Sequence, residues 1–212
     1  MSDEIEKADA PKKVVDDDRR WNYSIHYQKR LVELIPESAK TALDIGCGEG
    51  MFARELASRR LAVTAIDADG PTLERALAQD TAGIDYIGGD ALTYPLPTAS
   101  YDVVSAISVL HNLDIVEGLT RIKELVAPGG IVLVVGAAKG TMKTMPREIG
   151  ASFADKAQRL WRGWWDHDTP SVWPPPHTFD DVSEAARAVM PGCELKDHLL
   201  YRYTLTWTKP AA

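Results

Sequence analysis

The sequence predicts an α/β domain in which helices cover both faces of a parallel sheet. Short apolar runs typical of buried strands alternate with segments of helical periodicity, and the first run leads into a glycine-rich turn. The five predicted strands of this region are 41–45, 62–67, 84–88, 101–107 and 131–136. Ligands of such sheets bind outside the carboxyl ends of the strands, so the site is expected there.

Apolar residues at helical spacing predict four helices among these strands. They lie around residues 27–35, 51–57, 71–77 and 119–126. Pro71 suits the first turn of the third helix, and Leu34 and Leu77 are expected on buried faces. The fourth helix is expected to end at Pro128 and Gly129.

The regular pattern stops after the fifth strand, and residues 137–178 are predicted to form an inserted helical lid. One helical face of this insertion carries the following apolar residues: Ile149, Phe153, Ala157, Leu160, Trp161 and Trp164. Thr178 and Asp181 then form a predicted capping box at the start of a helix that stops before Pro191. Alternating residues predict two last strands, at 195–200 and 203–208, whose pairing stays open because no turn dipeptide joins them.

The turn after the first strand has the features of a nucleotide-type cofactor site. Gly46, Gly48 and Gly50 allow the backbone to take positive φ and to press against a ligand. The following helix directs its free N–H groups at whatever occupies the turn. The second strand ends at Asp67, close to the roughly 20-residue spacing at which a carboxylate binds ribose hydroxyls. A ribose-bearing ligand is therefore expected, in preference to a tight turn without a ligand.

Two cofactor types fit this turn. The run 48–53 is formally GxGxxA, the dinucleotide fingerprint. Read from Asp44, however, the pattern is DxGxGxG, which resembles the first motif of the class I S-adenosylmethionine-dependent methyltransferases. The segments 86–91, 101–107 and 125–135 resemble further motifs of that family, in the family's order.

The chain thus resembles the small-molecule group of that family, closely over residues 40–136. The resemblance implies a doubly wound, mostly parallel seven-stranded sheet with an antiparallel last strand, and S-adenosyl-L-methionine as the cofactor. It implies that Asp44 supports the cofactor's amino group, Asp67 its ribose and Asp90 its adenine. The full set of implied cofactor residues is Asp44, Gly46, Cys47, Gly48, Gly50, Asp67, Ala68, Asp90, Ala91, Leu92, Ala106, Ile107 and His111.

His111 is the candidate catalytic residue, because it follows the fourth strand and is expected beside the transferred methyl group. A histidine with a pKa near 6.5 suits proton removal at neutral pH. The alternative is that His111 only shapes the pocket or caps the next helix. Methyl transfer from a sulfonium requires mainly an oriented nucleophile and exclusion of water, so no base is obligatory.

Aromatic residues are the candidates for acceptor binding. They are Tyr27 on the first helix and four tryptophans, Trp161, Trp164, Trp165 and Trp173. Either these tryptophans line an aromatic substrate pocket or they bury a lid helix on the sheet.

Composition limits the partners. The chain of 212 residues has a net charge of −7, which argues against nucleic acid as the main partner. Its two cysteines, Cys47 and Cys193, have no disulfide or zinc spacing, so no metal is expected and a cytoplasmic location fits. Residues 1–18 read as a disordered tail before a single domain at 19–212, and no membrane span or signal peptide is predicted.

The sequence therefore predicts methyl transfer from S-adenosylmethionine to a small-molecule acceptor by a monomer or homodimer. Methyltransferases that act on exocyclic amines of nucleic-acid bases resemble one another in a [D/N]-P-P-[Y/F] motif at the end of the fourth strand, where this chain has Ser-Ala-Ile-Ser at 105–108. The alternatives are an RNA methyltransferase, a non-catalytic S-adenosylmethionine-binding regulator and an NAD(P)-dependent oxidoreductase.

Overall fold

The computed structural model describes residues 21–79, 81–142, 144–148, 151 and 171–211. The predicted tail and residues 152–170 of the predicted lid lie outside this part of the chain.

A seven-stranded sheet forms the centre of the fold. The strands are β1 Thr41–Ile45, β2 Ala62–Asp67, β3 Ile84–Gly88, β4 Tyr101–Ile107, β5 Val126–Ala137, β6 Glu194–Asp197 and β7 Arg202–Thr208. Their order is β3-β2-β1-β4-β5-β7-β6; β1 to β5 are parallel, and β7 is antiparallel to both of its neighbours. The predicted fold class is confirmed.

Helices pack against both faces of the sheet. They are α1 Tyr23–Leu31, α2 Met51–Ser58, α3 Gly70–Leu77, α4 Ile115–Leu125 and α5 Phe179–Val189. Side chains of α1, α2 and α3 join one apolar cluster, and those of α4 and α5 join the other. Consecutive β5 residues alternate between the two clusters, as they must in a strand buried on both sides. No described helix is long and apolar enough to cross a membrane.

Capping side chains fix the beginnings of several helices. Asp69 accepts a hydrogen bond from the amide of Thr72 at the start of α3, and Asp114 serves α4 in the same way. The predicted capping box of Thr178 and Asp181 is confirmed at the start of α5. Gly50, in the left-handed conformation, precedes α2.

Three local predictions are wrong. Helix α4 ends at Leu125 and β5 starts at once, so Pro128 and Gly129 lie in the strand, where its register against β4 shifts. Pro128 and Gly129 therefore mark a β-bulge in β5 rather than the turn that the sequence predicts at the end of the helix. Leu34 is 51% exposed because a 3₁₀ turn follows α1 and directs Val32 inward instead, and Leu77 is 54% exposed at the last position of α3.

The turn between β6 and β7 is the fourth difference. The strand predicted at 195–200 ends at Asp197, because Leu200 and Tyr201 take φ values of 59° and 61°. Buried Glu148 accepts a hydrogen bond from the Leu200 amide at 2.6 Å and binds Arg147 at 2.8 Å. The turn is thus held by a residue from another segment rather than by glycine, and it sets where β7 begins.

Candidate active site

A cavity of about 570 Å³ lies at the carboxyl ends of the parallel strands, where the sequence predicts the site. Helix α1 and residues 171–173 contribute to its outer wall. The sequence-predicted residues on its wall are Asp44, Gly46, Cys47, Gly48, Asp67, Ala68, Asp90, Ala91, Leu92, Ile107, His111 and Trp173.

The glycine turn places main chain directly on the cavity wall. Gly46 has a φ of 61°, and a Cβ there would collide with the side chain of Val109. Gly48 has a φ of 57°, and its amide donates a hydrogen bond to Oδ2 of Asp67 at 2.7 Å. Position 46 therefore requires glycine on both steric and backbone grounds, and position 48 on backbone grounds.

Asp67 is buried at the end of β2, with 9% of its surface exposed. Its Oδ2 accepts from the Gly48 amide, and its Oδ1 accepts from the Asp69 amide at 2.9 Å. These two bonds fix the carboxylate on the wall while each oxygen keeps a lone pair for a ligand hydroxyl. Asp69 also lines the cavity, but its carboxylate accepts a hydrogen bond from the Thr72 amide and so caps α3.

Asp44 is the deepest carboxyl group of the cavity, with 1% of its surface exposed. Its Oδ1 accepts from the Ser105 hydroxyl at 2.7 Å, whereas buried Oδ2 has no hydrogen-bond partner in the described part of the chain. Burial raises the pKa of Asp44 to about 7, with a smaller contribution from the charge of Asp67, against the Ser105 hydrogen bond. A cationic ligand group at this point would satisfy Oδ2 and favour the ionised form.

The loop after β3 forms another part of the wall. Asp90 is exposed, and its Oδ1 accepts from the Leu92 amide at 2.9 Å. Ala91 and Leu92 line the cavity beside it. This side chain therefore shapes its own turn as well as facing the ligand space.

His111 lies in a 3₁₀ turn after β4 and is buried on the wall. Its Nε2 lies 3.1 Å from the Ser171 hydroxyl. Next to it, Oδ1 of Asn112 accepts from the Val172 amide at 2.8 Å. These two contacts fasten residues 171–173 to the β4 side of the cavity.

Several predicted residues lie elsewhere. Gly50 precedes α2 beside Tyr86, and Ala106 is buried in the core, so neither lines the cavity. Tyr27 is also off the wall, and its ring stacks on His198 with centroids 4.2 Å apart. Trp173 lines the cavity but is 62% exposed. Trp161, Trp164 and Trp165 lie outside the described residues.

The structure adds residues that the sequence analysis missed. From α1 come Asn22, Ser24, Ile25 and Gln28, and from β7 comes Arg202. Asn22 caps α1 by accepting from the Ile25 amide, a signal that would have extended the predicted helix toward the cavity. Ser24 contacts Ser108 at 2.6 Å and so joins this helix to the end of β4. No sequence pattern indicates that Arg202 lines the cavity, because its position depends on the register of β7 against β5.

Comparisons with known proteins identify the family of this chain. The family model described as a methyltransferase domain matches residues 43–134. An uncharacterized methyltransferase of Mycobacterium tuberculosis is 34% identical over 195 residues, which cover 91% of this chain and 99% of that protein. A malonyl-[acyl-carrier protein] O-methyltransferase of Pseudescherichia vulneris is 27% identical, with 75% of this chain and 66% of that enzyme covered.

Among solved structures, this chain resembles phosphoethanolamine N-methyltransferase 2 of Haemonchus contortus, solved in complex with phosphomonomethylethanolamine and S-adenosylhomocysteine. The TM-score is 0.63 at 20% identity, and the match covers 90% of this chain and 53% of that one. The chain thus spans about half of that structure, and this likeness shows the fold. With one third of its residues identical to a methyltransferase over nearly its whole length, the chain belongs to the class I S-adenosylmethionine-dependent methyltransferases.

Proposed function

We propose that this methyltransferase acts on a small-molecule acceptor, held in the part of the cavity that adjoins β5 and β7. The observation that carries the proposal is the continuity of the cavity, which runs from the glycine turn to Ala137 and Arg202. Its volume of about 570 Å³ lies in the range typical of sites for small ligands. The malonyl group named for the Pseudescherichia relative is also small, even though a carrier protein presents it.

The residues present fit S-adenosylmethionine. Gly46 and Gly48 keep the turn free of side chains, and Asp44 offers a buried oxygen with no partner among the described residues. We assign the ribose hydroxyls to Asp67, the amino group to Asp44, and the adenine to the loop that carries Asp90, Ala91 and Leu92. When bound, the cofactor supplies an electrophilic methyl group on a sulfonium, open to in-line displacement by an oxygen, nitrogen or carbon nucleophile.

The chain's own contribution is to position the acceptor and to exclude water. Helix α1 is joined to β4 through Ser24 and Ser108, and residues 171–173 are joined to β4 through His111 and Asn112. His111 lies where it either accepts a proton from the nucleophile or orients the acceptor. Replacement by Gln separates the two roles: loss of a base lowers kcat and removes a limb of its pH profile, whereas loss of orientation alone leaves the profile unchanged.

Calorimetric titration with S-adenosylmethionine, S-adenosylhomocysteine and NADH tests the cofactor site. We expect micromolar binding of the first two and none of NADH; binding of NADH alone would overturn the proposal. Transfer of a labelled methyl group is then measured into the low-mass fraction and into the total RNA of a cell extract. Label in low-mass compounds supports a small-molecule acceptor, label only in RNA contradicts it, and cofactor binding without label in any fraction indicates a regulator.

A further inference from the structure

Arg202 occupies a position in the cavity that the cofactor assignments do not use. It is the first residue of β7 and lies opposite Ala137, the last residue of β5. Because β7 runs antiparallel, its beginning lies at the sheet edge where the parallel strands end, and both residues line the cavity. The topology therefore brings an arginine from near the end of the chain to the proposed acceptor end of the site.

The guanidinium of Arg202 has no counter-ion in the described part of the chain. Its Nε is buried and makes no hydrogen bond there, and no described carboxylate lies within ion-pair distance of it. Burial lowers the pKa of Arg202 below its usual value. Arg147, by contrast, binds Asp197 at 2.7 Å and Glu148 at 2.8 Å. Among the described residues, Arg147 is thus paired with carboxylates outside the cavity, whereas Arg202 on the cavity wall has no carboxylate partner.

Arg202 is partly buried, and a cation that loses part of its hydration without gaining a compensating charge is destabilising. The acidic wall residues do not supply that charge, because all of them lie on or shortly after β1, β2 or β3: Asp44, Glu49, Asp67, Asp69 and Asp90. Three interstrand spacings separate β1 from β7 in the order β1-β4-β5-β7, a distance of about 14 Å across the sheet. The two ends of the cavity therefore carry opposite charge, and the missing partner of Arg202 is expected on the acceptor side.

We infer that Arg202 binds an acidic group of the methyl acceptor, a carboxylate or a phosphate, so that the enzyme selects anionic small molecules. A guanidinium presents paired N–H donors in a planar fork that matches two oxygens of either group. This inference rests on the proposed function, since it assumes an acceptor in the same cavity. The inference concerns the charge of the acceptor and does not specify which of its atoms is methylated.

The test is a calorimetric titration of the protein saturated with S-adenosylhomocysteine. Succinate represents carboxylates, inorganic phosphate represents phosphates, and neutral succinamide is the uncharged control. Each is titrated into wild type, Arg202→Gln and the matched variant Arg30→Gln. Arg30 is exposed and off the cavity wall, yet its charge acts on the same Tyr27 hydroxyl as that of Arg202.

We expect at least one of the two anions to bind wild type and Arg30→Gln with equal affinity. The same anion should bind Arg202→Gln at least tenfold more weakly. Succinamide should bind none of the three proteins. Succinate or phosphate as the tighter ligand identifies which acid the site takes. No binding of either anion by wild type, or equal binding by Arg202→Gln, overturns the inference. A wild type that fails to bind S-adenosylhomocysteine contradicts the proposed function instead.

Two further readouts exclude other roles for Arg202. If Arg202 bound the cofactor, Arg202→Gln would weaken the binding of S-adenosylhomocysteine as strongly as the binding of the anions. This result would contradict the inference. If it were structural, its replacement would lower the melting temperature of the free protein. We expect the opposite, a higher melting temperature for Arg202→Gln than for wild type, because the variant removes a partly buried charge that has no partner among the described residues.

Discussion

The two ends of the cavity are built in different ways. At the proposed cofactor end, the main chain of the glycine turn forms part of the wall, and Asp67 binds an amide only 19 residues earlier in the sequence. At the acceptor end, Arg202 follows a turn that depends on Glu148, 52 residues before Leu200. The first end is therefore specified by short motifs, whereas the second depends on contacts between distant segments. Four substitutions test this difference, from the largest expected effect to the smallest.

Glu148→Ala should damage the acceptor end most. It removes the buried acceptor of the Leu200 amide and one carboxylate of Arg147, so the free energy of unfolding should fall by about 3–5 kcal/mol. Urea denaturation measures the loss. Asp197→Ala is the control: Arg147 keeps Glu148, and the loss should stay below about 1 kcal/mol. Equal losses in both variants would show that the turn does not depend on Glu148.

Gly46→Ala should damage the cofactor end alone. The new methyl group collides with Val109 and the residue must keep positive φ, so affinity for S-adenosylhomocysteine should fall about a hundredfold, or about 2.8 kcal/mol. Gly129→Ala is matched, because Gly129 has a φ of 79° and no atom within 4 Å of a Cβ. It should cost about 1 kcal/mol of stability and no affinity. A similar loss of affinity in both variants would remove the steric explanation.

Asp44→Asn should make stability less dependent on pH. The pKa of Asp44 is raised from its ordinary value to about 7, so its contribution to stability is present below about pH 4 and is lost as the pH rises through 7. Asparagine does not ionise, so the stability of the variant does not fall in this way as the pH rises. The variant should therefore gain about 2–3 kcal/mol relative to wild type between pH 5 and pH 8, measured by denaturant unfolding at both. A gain independent of pH would contradict the raised pKa.

Asp67→Ala should weaken cofactor binding by about 1–3 kcal/mol, because the ribose hydroxyls and the Gly48 amide lose their acceptor. Calorimetry with S-adenosylhomocysteine measures the change. Asp114→Ala removes a helix cap that does not line the cavity and should reduce stability by about 1 kcal/mol without changing affinity. Unchanged affinity in Asp67→Ala would withdraw the ribose assignment.

The same difference explains what the sequence could predict. The bounds of β1 to β4 follow from apolar runs, and the residues of the glycine turn follow from a local pattern of small residues. The end of α4 was misplaced because Pro128 and Gly129 mark a bulge as well as a helix end. The turn at Leu200 and Tyr201 could not be predicted, because its left-handed residues are not glycine and a distant carboxylate holds it. Arg202 was missed for the same reason.

The proposed contact of Asp44 with the cofactor couples cofactor binding to the ionisation of this buried carboxyl group. Because burial raises its pKa to about 7, this group is partly protonated near neutral pH in the free protein. A cationic ligand group beside its Oδ2 favours the carboxylate, so that proton leaves for the solvent. The heat of loading therefore contains the ionisation enthalpy of the buffer, and the apparent affinity declines in acid. On the proposed assignment of the cofactor's amino group to Asp44, the affinity for the cofactor depends on pH through this carboxyl group.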